Sequence, residues 1–203
     1  MANERLHLLY GNHDIAKRDK SFLEKNYYHY FSEREGRNIS MFENIKVHEG
    51  LVLRHRNSNY RIFLVHGHQV DFINYELWRL TRFIVKYLWR PLEAFGINDP
   101  TRTAKNYKKK EAVAIKLNVW VAKEKHMLIG GHNHRPRFPE VGEPPCFNDG
   151  SCVHPRGITG IQIAQGKISL VKWSTKAKDN GILYIDKDIL AGPRYLKDYL
   201  EIN

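Results

Sequence analysis

Three short polar segments, each directly after an apolar run with strand character, constrain this chain most. They are Gly11-Asn12-His13-Asp14, His66-Gly67-His68 and Gly131-His132-Asn133-His134-Arg135-Pro136. In open α/β sheets, ligand sites form outside the carboxyl ends of the strands, where loops from separate strands converge. Neutral imidazole is the commonest metal-binding side chain, and amide oxygen suits Mn²⁺ or Mg²⁺. The segments therefore predict an α/β fold with a metal site at one sheet edge.

The hydrophobic pattern supports this alternation of strands and helices. Strands are predicted over 5–10, 46–55, 60–66, 127–129, 145–148, 159–164, 168–173 and 183–185. Helices are predicted over about 15–30 (apolar stripe Leu23, Tyr27 and Tyr30 or Phe31), from Asp71 to about 90 (Leu77, Leu80, Ile84 and Leu88) and over about 103–125 (Ala112, Ile115, Val119 and Ala122). The last two helices would form a hairpin, residues 72–126, inserted between β elements. In an extended segment His132 and His134 would point to the same side and could serve neighbouring ions.

The positive charge of the chain is concentrated in this predicted hairpin. The 203 residues hold 33 Lys and Arg against 22 Asp and Glu, a net charge of +11, and residues 72–130 supply +7 of it. Aromatic residues are interleaved with the bases. Such a surface attracts an anionic partner: a phosphorylated substrate, an acidic membrane face or nucleic acid. The same pattern also fits a solvated helical face over an ordinary aromatic core.

Composition excludes several classes of protein. Hydrophobic residues make up 42% and charged residues 27%, which is globular composition in a length that suits one domain. No apolar run reaches the roughly 18 residues that a membrane span needs. The first residues have no secretory pattern, and Cys146 and Cys152 are too few for a disulfide framework. A cytoplasmic location, with both cysteines as reduced core thiols, is the expectation.

The order of the three segments resembles the later motifs of the calcineurin-like metallophosphoesterases: Gly-Asn-His-Asp/Glu, a strand-end His and Gly-His-x-His. The run from Asn148 to Ser151 resembles the Asn-x-Gly-Ser strand that follows in this family, so the likeness extends over about 5–174. It implies a layered α/β sandwich, two sheets flanked by helices, in a single domain over 1–203 with a helical cap insertion over 72–126. Such a cap resembles the UDP-2,3-diacylglucosamine pyrophosphatase branch, although a nucleotide or another phosphodiester would also fit.

The resemblance also implies roles for individual residues. Asn12, His66 and His132 would bind one divalent ion, and His134 would help to bind a second. His13 would contact the scissile phosphate or protonate the leaving oxygen, and Asp14 would orient its ring. Asp14 is also suited to cap the following helix. The residues expected to contact substrate phosphate are His68, Arg135 and Arg156, with Arg137 and His154 as further candidates. Mn²⁺ is the expected metal, with Mg²⁺, Fe²⁺ or Zn²⁺ as alternatives.

Two motifs of the family pattern are absent from this sequence. The pattern opens with Asp-x-His and continues with Gly-Asp, whose carboxylate bridges the ions, yet Met1 stands only ten residues before Gly11. The first strand-helix-strand unit is therefore expected to be missing, with at most one well-formed ion site. Without the bridging carboxylate, the repulsion between two dications would be poorly compensated. An N-terminally shortened enzyme is favoured over a degenerate non-catalytic protein or a half-site completed by another chain.

Three functions follow from these observations. The first is a metal-dependent phosphoester hydrolase that uses two ions to activate water on a phosphodiester or pyrophosphate bond of an anionic substrate. The second is a binding or scaffold protein with a residual metal site, and the third is a nucleic-acid-binding module. The expected partners are a phosphorylated small-molecule or lipid-linked substrate, an anionic membrane touched peripherally by the cap, and a second copy of the chain.

Overall fold

A computed structural model describes residues 5–55, 60–70 and 107–200, with residues 107–110 described by backbone alone. The strands are β1 (His7–Leu9), β2 (His29–Ser32), β3 (Arg37–Ser40), β4 (Lys46–His48), β5 (Gly50–Arg54), β6 (Arg61–Val65), β7 (Met127–Gly130), β8 (Cys146–Asn148), β9 (Ile158–Ala164), β10 (Lys167–Ala177) and β11 (Leu183–Tyr195). The α-helices are α1 (Lys20–Asn26), α2 (Tyr107–Glu124) and α3 (Lys197–Leu200), and short 3-10 helices cover Ile15–Arg18 and His68–Val70.

A four-stranded sheet positions most of the polar segments. Its strand order is β5-β6-β7-β8, with β6, β7 and β8 parallel and β5 antiparallel at the edge. The carboxyl ends of β6, β7 and β8 therefore lie at one edge of the sheet. The segments that begin at His66, Gly131 and Asp149 all start there, as the strand prediction requires.

Both faces of this sheet are covered, which gives the fold its layers. Met127 and Leu128 alternate along β7: Met127 packs with Phe147 and Ile168 of β10, and Leu128 packs with Cys146 and α2. The antiparallel sheet β11-β10-β9 thus covers one face and α2 the other. Apolar residues at consecutive strand positions are the pattern of a sheet buried on both sides. The predicted layered α/β sandwich is confirmed.

A smaller unit precedes the main sheet. Strand β1 pairs in parallel with β4, and Leu23, Tyr28 and Ile45 form its core. The N–H of Tyr10 donates to the carbonyl of His48 at 3.1 Å, which continues the pairing to the end of β1. Gly11 follows immediately, so this unit carries the first polar segment.

The predicted helix over 15–30 is wrong in its second half. Helix α1 ends at Asn26, and Tyr30 and Phe31 lie exposed in the hairpin β2–β3 rather than in an apolar helical stripe. A turn closed by the N–H of Gly36 to the carbonyl of Ser32, with Gly36 at φ 62°, joins the two strands. Aromatic residues beside such a turn favour strands, and this local signal prevails over the helical spacing.

Helix α2 corresponds to the predicted helix over 103–125, but its predicted apolar face is wrong. Val113, Leu117 and Val121 are buried against the sheet, while Ile115 and Val119 are exposed, as are Ala112 and Ala122. Residues at intervals of four lie on one line along a helix, and this line carries larger side chains than the alanine-containing one. The other predicted helix of the insertion, with Asp71, Trp78 and Trp89, lies outside the described residues.

Two expectations from composition are met in part. Among the described residues, no helix is both long enough and apolar enough to cross a membrane. Both cysteines are free, as expected, but only Cys146 lies in the core. Cys152 is exposed, so its assignment as a core thiol is wrong: it follows Ser151 in the loop after β8, beyond the buried strand.

Candidate metal centre

Neighbouring parallel strands bring His66 and His132 together. His66 directly follows β6, and His132 follows β7 after Gly131, whose N–H donates to the carbonyl of His66 at 3.0 Å. The two ring centroids are 5.3 Å apart and the rings are nearly perpendicular. His132 is buried and His66 is half-buried. This pair forms the centre of the site.

The Gly-Asn-His-Asp segment closes over His66. A Cβ placed on Gly11 would lie 2.7 Å from Nε2 of His66, so only glycine allows the backbone this near the ring. Oδ1 of Asn12 is buried and has no hydrogen-bond partner within the described residues. A buried acceptor without a donor is costly. A divalent cation, which amide oxygen and imidazole both bind, would satisfy this oxygen.

The surroundings of His66 keep its imidazole neutral. Burial, together with the neighbouring imidazoles of His132, His13 and His134, lowers the pKa of His66 to about 4, although the Asp14 carboxylate acts in the opposite direction. His66 is therefore unprotonated at neutral pH, the form that binds metals. Because the side chains of His132, His13, His134 and Asp14 all act on the pKa of His66, all four lie near its ring. The structure thus brings together the predicted residues of the first and third segments.

His68 does not fit its predicted role as a phosphate contact. Its ring is 5.4 Å from that of His66, and the residue is fully buried. An enclosed ring does not reach an incoming phosphate. His68 is better described as a core residue whose ring packs beside that of His66. Gly67, at φ 100°, makes the turn between the two residues.

The Gly-His-x-His segment is bent, so the predicted extended geometry is wrong. His132 and His134 have φ of 67° and 57°, and Oδ1 of Asn133 accepts the N–H of Arg135 at 3.0 Å. Asparagine favours such a side-chain turn over continued strand. Buried His132 and exposed His134 consequently face different surroundings. Left-handed backbone at non-glycine residues is a strain typical of functional sites.

Asn148, at the end of β8, holds this loop in place. Its Nδ2 donates to the carbonyl of Gly131 at 2.8 Å, its Oδ1 accepts the N–H of Gly150 at 2.9 Å, and the side chain is buried. The carbonyl that it binds immediately precedes His132. Asn148 belongs to the run that resembles the family's Asn-x-Gly-Ser strand, but the sequence alone indicates no role for it. A polar residue closing a buried strand was the available signal.

Asp149 adds a carboxyl group to the same edge. Its N–H donates to the carbonyl of Gly130 at 2.9 Å, and a Cβ on Gly131 would lie 3.1 Å from its Oδ1. Although part of the residue is open to solvent, desolvation of the carboxyl raises its pKa to about 6. The sequence indicates no role for Asp149, because its loop does not resemble the family's Gly-Asp motif with the bridging carboxylate.

The other predicted residues lie on the exposed side of the site. His13, Arg135 and Arg156 are exposed, and the two Arg side chains stand in separate loops. Nδ1 of His134 lies 3.4 Å from Oγ of Ser151. These positions leave the predicted substrate contacts of Arg135 and Arg156 as predictions.

Asp14 has a different set of bonds from the one expected. Its carboxylate accepts the N–H of Gly11 and the ammonium of Lys17, each at 2.5 Å. It occupies the cap position of the 3-10 helix Ile15–Arg18, but its side chain makes no capping hydrogen bond, so the expected side-chain cap is wrong. The carboxylate instead turns back and fixes the Gly11 backbone against His66. Its orientation of the His13 ring stays a prediction.

His66, His132 and Asn12 offer donors for one divalent ion. Two imidazoles and the amide oxygen of Asn12 are suitable ligands for one ion. In the described ranges, no three His, Cys, Asp or Glu side chains form a group that could hold an ion. The predicted second ion, with His134 as one of its ligands, stays a prediction.

A family model described as calcineurin-like phosphoesterase matches residues 1–136, a range that contains all three polar segments. The chain belongs to this family. Among solved structures, the chain is similar to Vps29 of Chaetomium thermophilum, with 12% sequence identity and a TM-score of 0.32. That similarity covers 71% of this chain and 59% of the Vps29 chain. No protein with a curated description matches it.

Membership confirms the coarser predictions from the sequence. Calcineurin-like phosphoesterases generally bind divalent metals, and the match places the chain in this family. The likeness to the UDP-2,3-diacylglucosamine pyrophosphatase branch and the preference for Mn²⁺ are finer statements than this match supports. They enter below as proposals.

Proposed function

We propose that this phosphoesterase hydrolyses a phosphodiester or pyrophosphate bond with the help of one divalent ion, Mn²⁺, held by Asn12, His66 and His132. Two observations carry the proposal. The rings of His66 and His132 meet at the carboxyl ends of β6 and β7, with the Gly11 backbone against His66. The Oδ1 of Asn12, the next residue, is buried and has no hydrogen-bond partner among the described residues. When bound, the ion would supply positive charge that polarises the phosphoryl group and lowers the pKa of a water molecule.

Groups of the protein itself have the remaining proposed roles: they position the ligands of the ion, donate a proton and bind phosphate. Asn148 and the Gly11 backbone hold His132 and His66, so the ligands need little rearrangement. His13 is exposed beside them and is the proposed donor of a proton to the leaving oxygen. Arg135 is exposed one residue beyond His134 and is proposed to bind a non-reacting phosphate oxygen.

The proposed substrate is anionic and carries two chemical parts. Residues 72–130 contribute +7 of the net charge, which favours a phosphorylated ligand, and their aromatic residues favour an apolar or planar group. A nucleotide sugar with acyl chains, as in the UDP-2,3-diacylglucosamine pyrophosphatase branch, satisfies both demands. Such a lipid-linked substrate would place the protein in the cytoplasm, at the surface of an anionic membrane.

Hydrolysis of bis(p-nitrophenyl) phosphate tests the proposed activity. The purified chain is assayed with Mn²⁺, Mg²⁺, Fe²⁺ and Zn²⁺, alongside the variants His132→Ala and His29→Ala. His29 is an exposed histidine on β2, so its variant controls for a general effect of removing an imidazole. We expect metal-dependent turnover in the wild type and His29→Ala and its loss in His132→Ala. Turnover that persists in His132→Ala would contradict the proposal.

A binding protein with a residual metal site is the second candidate. The specific observation in its favour is that no three His, Cys, Asp or Glu side chains of the described residues form a group that could hold an ion. Under this alternative, wild-type protein binds Mn²⁺ through His66 and His132 but hydrolyses no phosphodiester. Metal binding without turnover would therefore select the second candidate over the first.

A further inference from the structure

The strands β10 and β11 form a long arm beyond the rest of their sheet. Strand β9 pairs with β10 only as far as Ile158 opposite Trp173, whereas β10 and β11 stay paired from there to Ala177 opposite Leu183. Among the described residues, the outer part of the hairpin thus has no third strand. The sequence predicted only 168–173 and 183–185 as strands here, so this arm was missed.

One face of the arm is apolar and open. The register puts the side chains of alternate residues on this face, and its exposed apolar members are Ile158, Trp173, Leu183, Ile185 and Ile189. Leu183 and Ile185 are 69% and 73% exposed, so neither side chain belongs to the core. Lys187 also lies on this face, with its ammonium 5.6 Å from the Trp173 ring and bonded to Gln162 at 3.1 Å. Its charge is thereby directed towards β9, away from Leu183 and Ile185.

The opposite face of the arm carries charged side chains that remain in contact with solvent. Lys176 forms ion pairs with Asp186 and Asp188 at 2.6 and 2.8 Å, and all three side chains keep contact with solvent. The arm is therefore amphipathic. The charges on one face are paired with one another, whereas the apolar side chains on the other face are exposed to solvent. A two-stranded hairpin is only marginally stable in water, and packing of its apolar face is what stabilises it.

We propose that the apolar face of the arm packs against the same face of a second copy of this chain. The five residues leave roughly 500 Å² exposed on each copy, so complete burial in a two-fold pair would remove about 1,000 Å² from solvent, the area at which a specific interface becomes plausible. Thr175 and Ala177, which the register places opposite Ile185 and Leu183, add to this area. A two-fold interface uses one self-complementary patch twice, and sheets pack face to face in this way. The inference does not depend on the metal centre.

Analytical ultracentrifugation of a matched pair of variants tests the proposal. Ile185→Glu places a carboxylate on the apolar face, and Tyr184→Glu places the same group one residue away, on the opposite face beside Lys176. We expect a wild-type dimer, an unchanged dimer for Tyr184→Glu, and a dimer dissociation constant about a thousandfold higher for Ile185→Glu, since the substitution acts on both copies. Leu183→Glu, at the next position on the same face, should behave like Ile185→Glu.

Two outcomes would overturn this interface. One is a wild-type protein that is monomeric at every concentration, including one that instead floats with anionic phospholipid vesicles, which would assign the face to a membrane. The other is a dimer that Ile185→Glu and Leu183→Glu leave intact. Because both residues are exposed in the single chain, circular dichroism should show that their variants remain folded.

Discussion

The metal centre has two sides that differ in how the fold holds them. On the buried side, His132 is buried and His66 and Asn12 are partly buried, and a backbone contact from Gly11 and a side-chain hydrogen bond from Asn148 fix their surroundings. On the exposed side, His13 and His134 project from turns into solvent. Ligands that must bind an ion benefit from fixed geometry, whereas groups that meet a substrate must remain accessible. The difference agrees with the proposal that one half of the site binds metal and the other meets the phosphate.

Removing one histidine from each side gives the largest expected contrast. His132→Ala should reduce phosphodiester hydrolysis by about a thousandfold or more because an ion ligand is lost, and His134→Ala by about 10- to 100-fold. Steady-state kinetics at saturating Mn²⁺ measure both. Equal losses in the two variants, with equal loss of bound metal, would break the distinction between the sides.

Asn148→Ala should weaken the buried side without touching an ion ligand. It leaves the carbonyl of Gly131 and the N–H of Gly150 without their buried partner, at an expected cost of about 2–4 kcal/mol in the free energy of unfolding. Urea denaturation measures this cost. Metal affinity should also fall by about 10- to 100-fold, as for other groups that orient ligands.

Asn148→Asp serves as the control for this residue. It retains the acceptor for the N–H of Gly150 but loses the donor to Gly131. Its metal affinity should therefore fall like that of Asn148→Ala if the bond to Gly131 positions His132. Wild-type affinity in both variants would show that His132 does not depend on this clamp.

Gly11→Ala should separate metal affinity from stability. The new Cβ would lie 2.7 Å from Nε2 of His66, and the ring can avoid it only by moving away from its place beside His132. We expect about tenfold weaker metal binding and a change of about 1 kcal/mol or less in stability, because Gly11 has ordinary backbone angles. Isothermal titration with Mn²⁺ measures the affinity. An unchanged value would mean that His66 needs no close backbone contact.

The two cysteines offer the smallest test, by their reaction with iodoacetamide. Burial raises the pKa of Cys146 to about 11, whereas Cys152 is exposed in the following loop. A raised pKa means less thiolate at every pH below that value, and the thiolate is the reactive form. At pH 8 mass spectrometry should find one rapid modification, at Cys152, and a second only after unfolding. Rapid modification of both thiols in folded protein would show that the core between α2 and the sheet, where Cys146 lies, opens readily.

The sequence allowed prediction of the strand ends and of the residues that meet there, because apolar strands and the polar residues that follow them are local signals. The bend at His132 and His134 could not be predicted from alternation, since it depends on the Asn133 side chain bonding to its own backbone. The buried face of α2 was missed because two apolar lines compete along that helix and only the sheet beneath selects one. The bonds of Asn148 and the burial of His68 are likewise contacts between distant segments.

Metal content per chain tests the central claim most directly. The protein is purified with excess Mn²⁺, loosely bound ion is removed, and elemental analysis is performed on the wild type, His132→Ala and His134→Ala. The account predicts one tightly held ion in the wild type and in His134→Ala and none in His132→Ala. Two ions in the wild type, or one retained by His132→Ala, would contradict it.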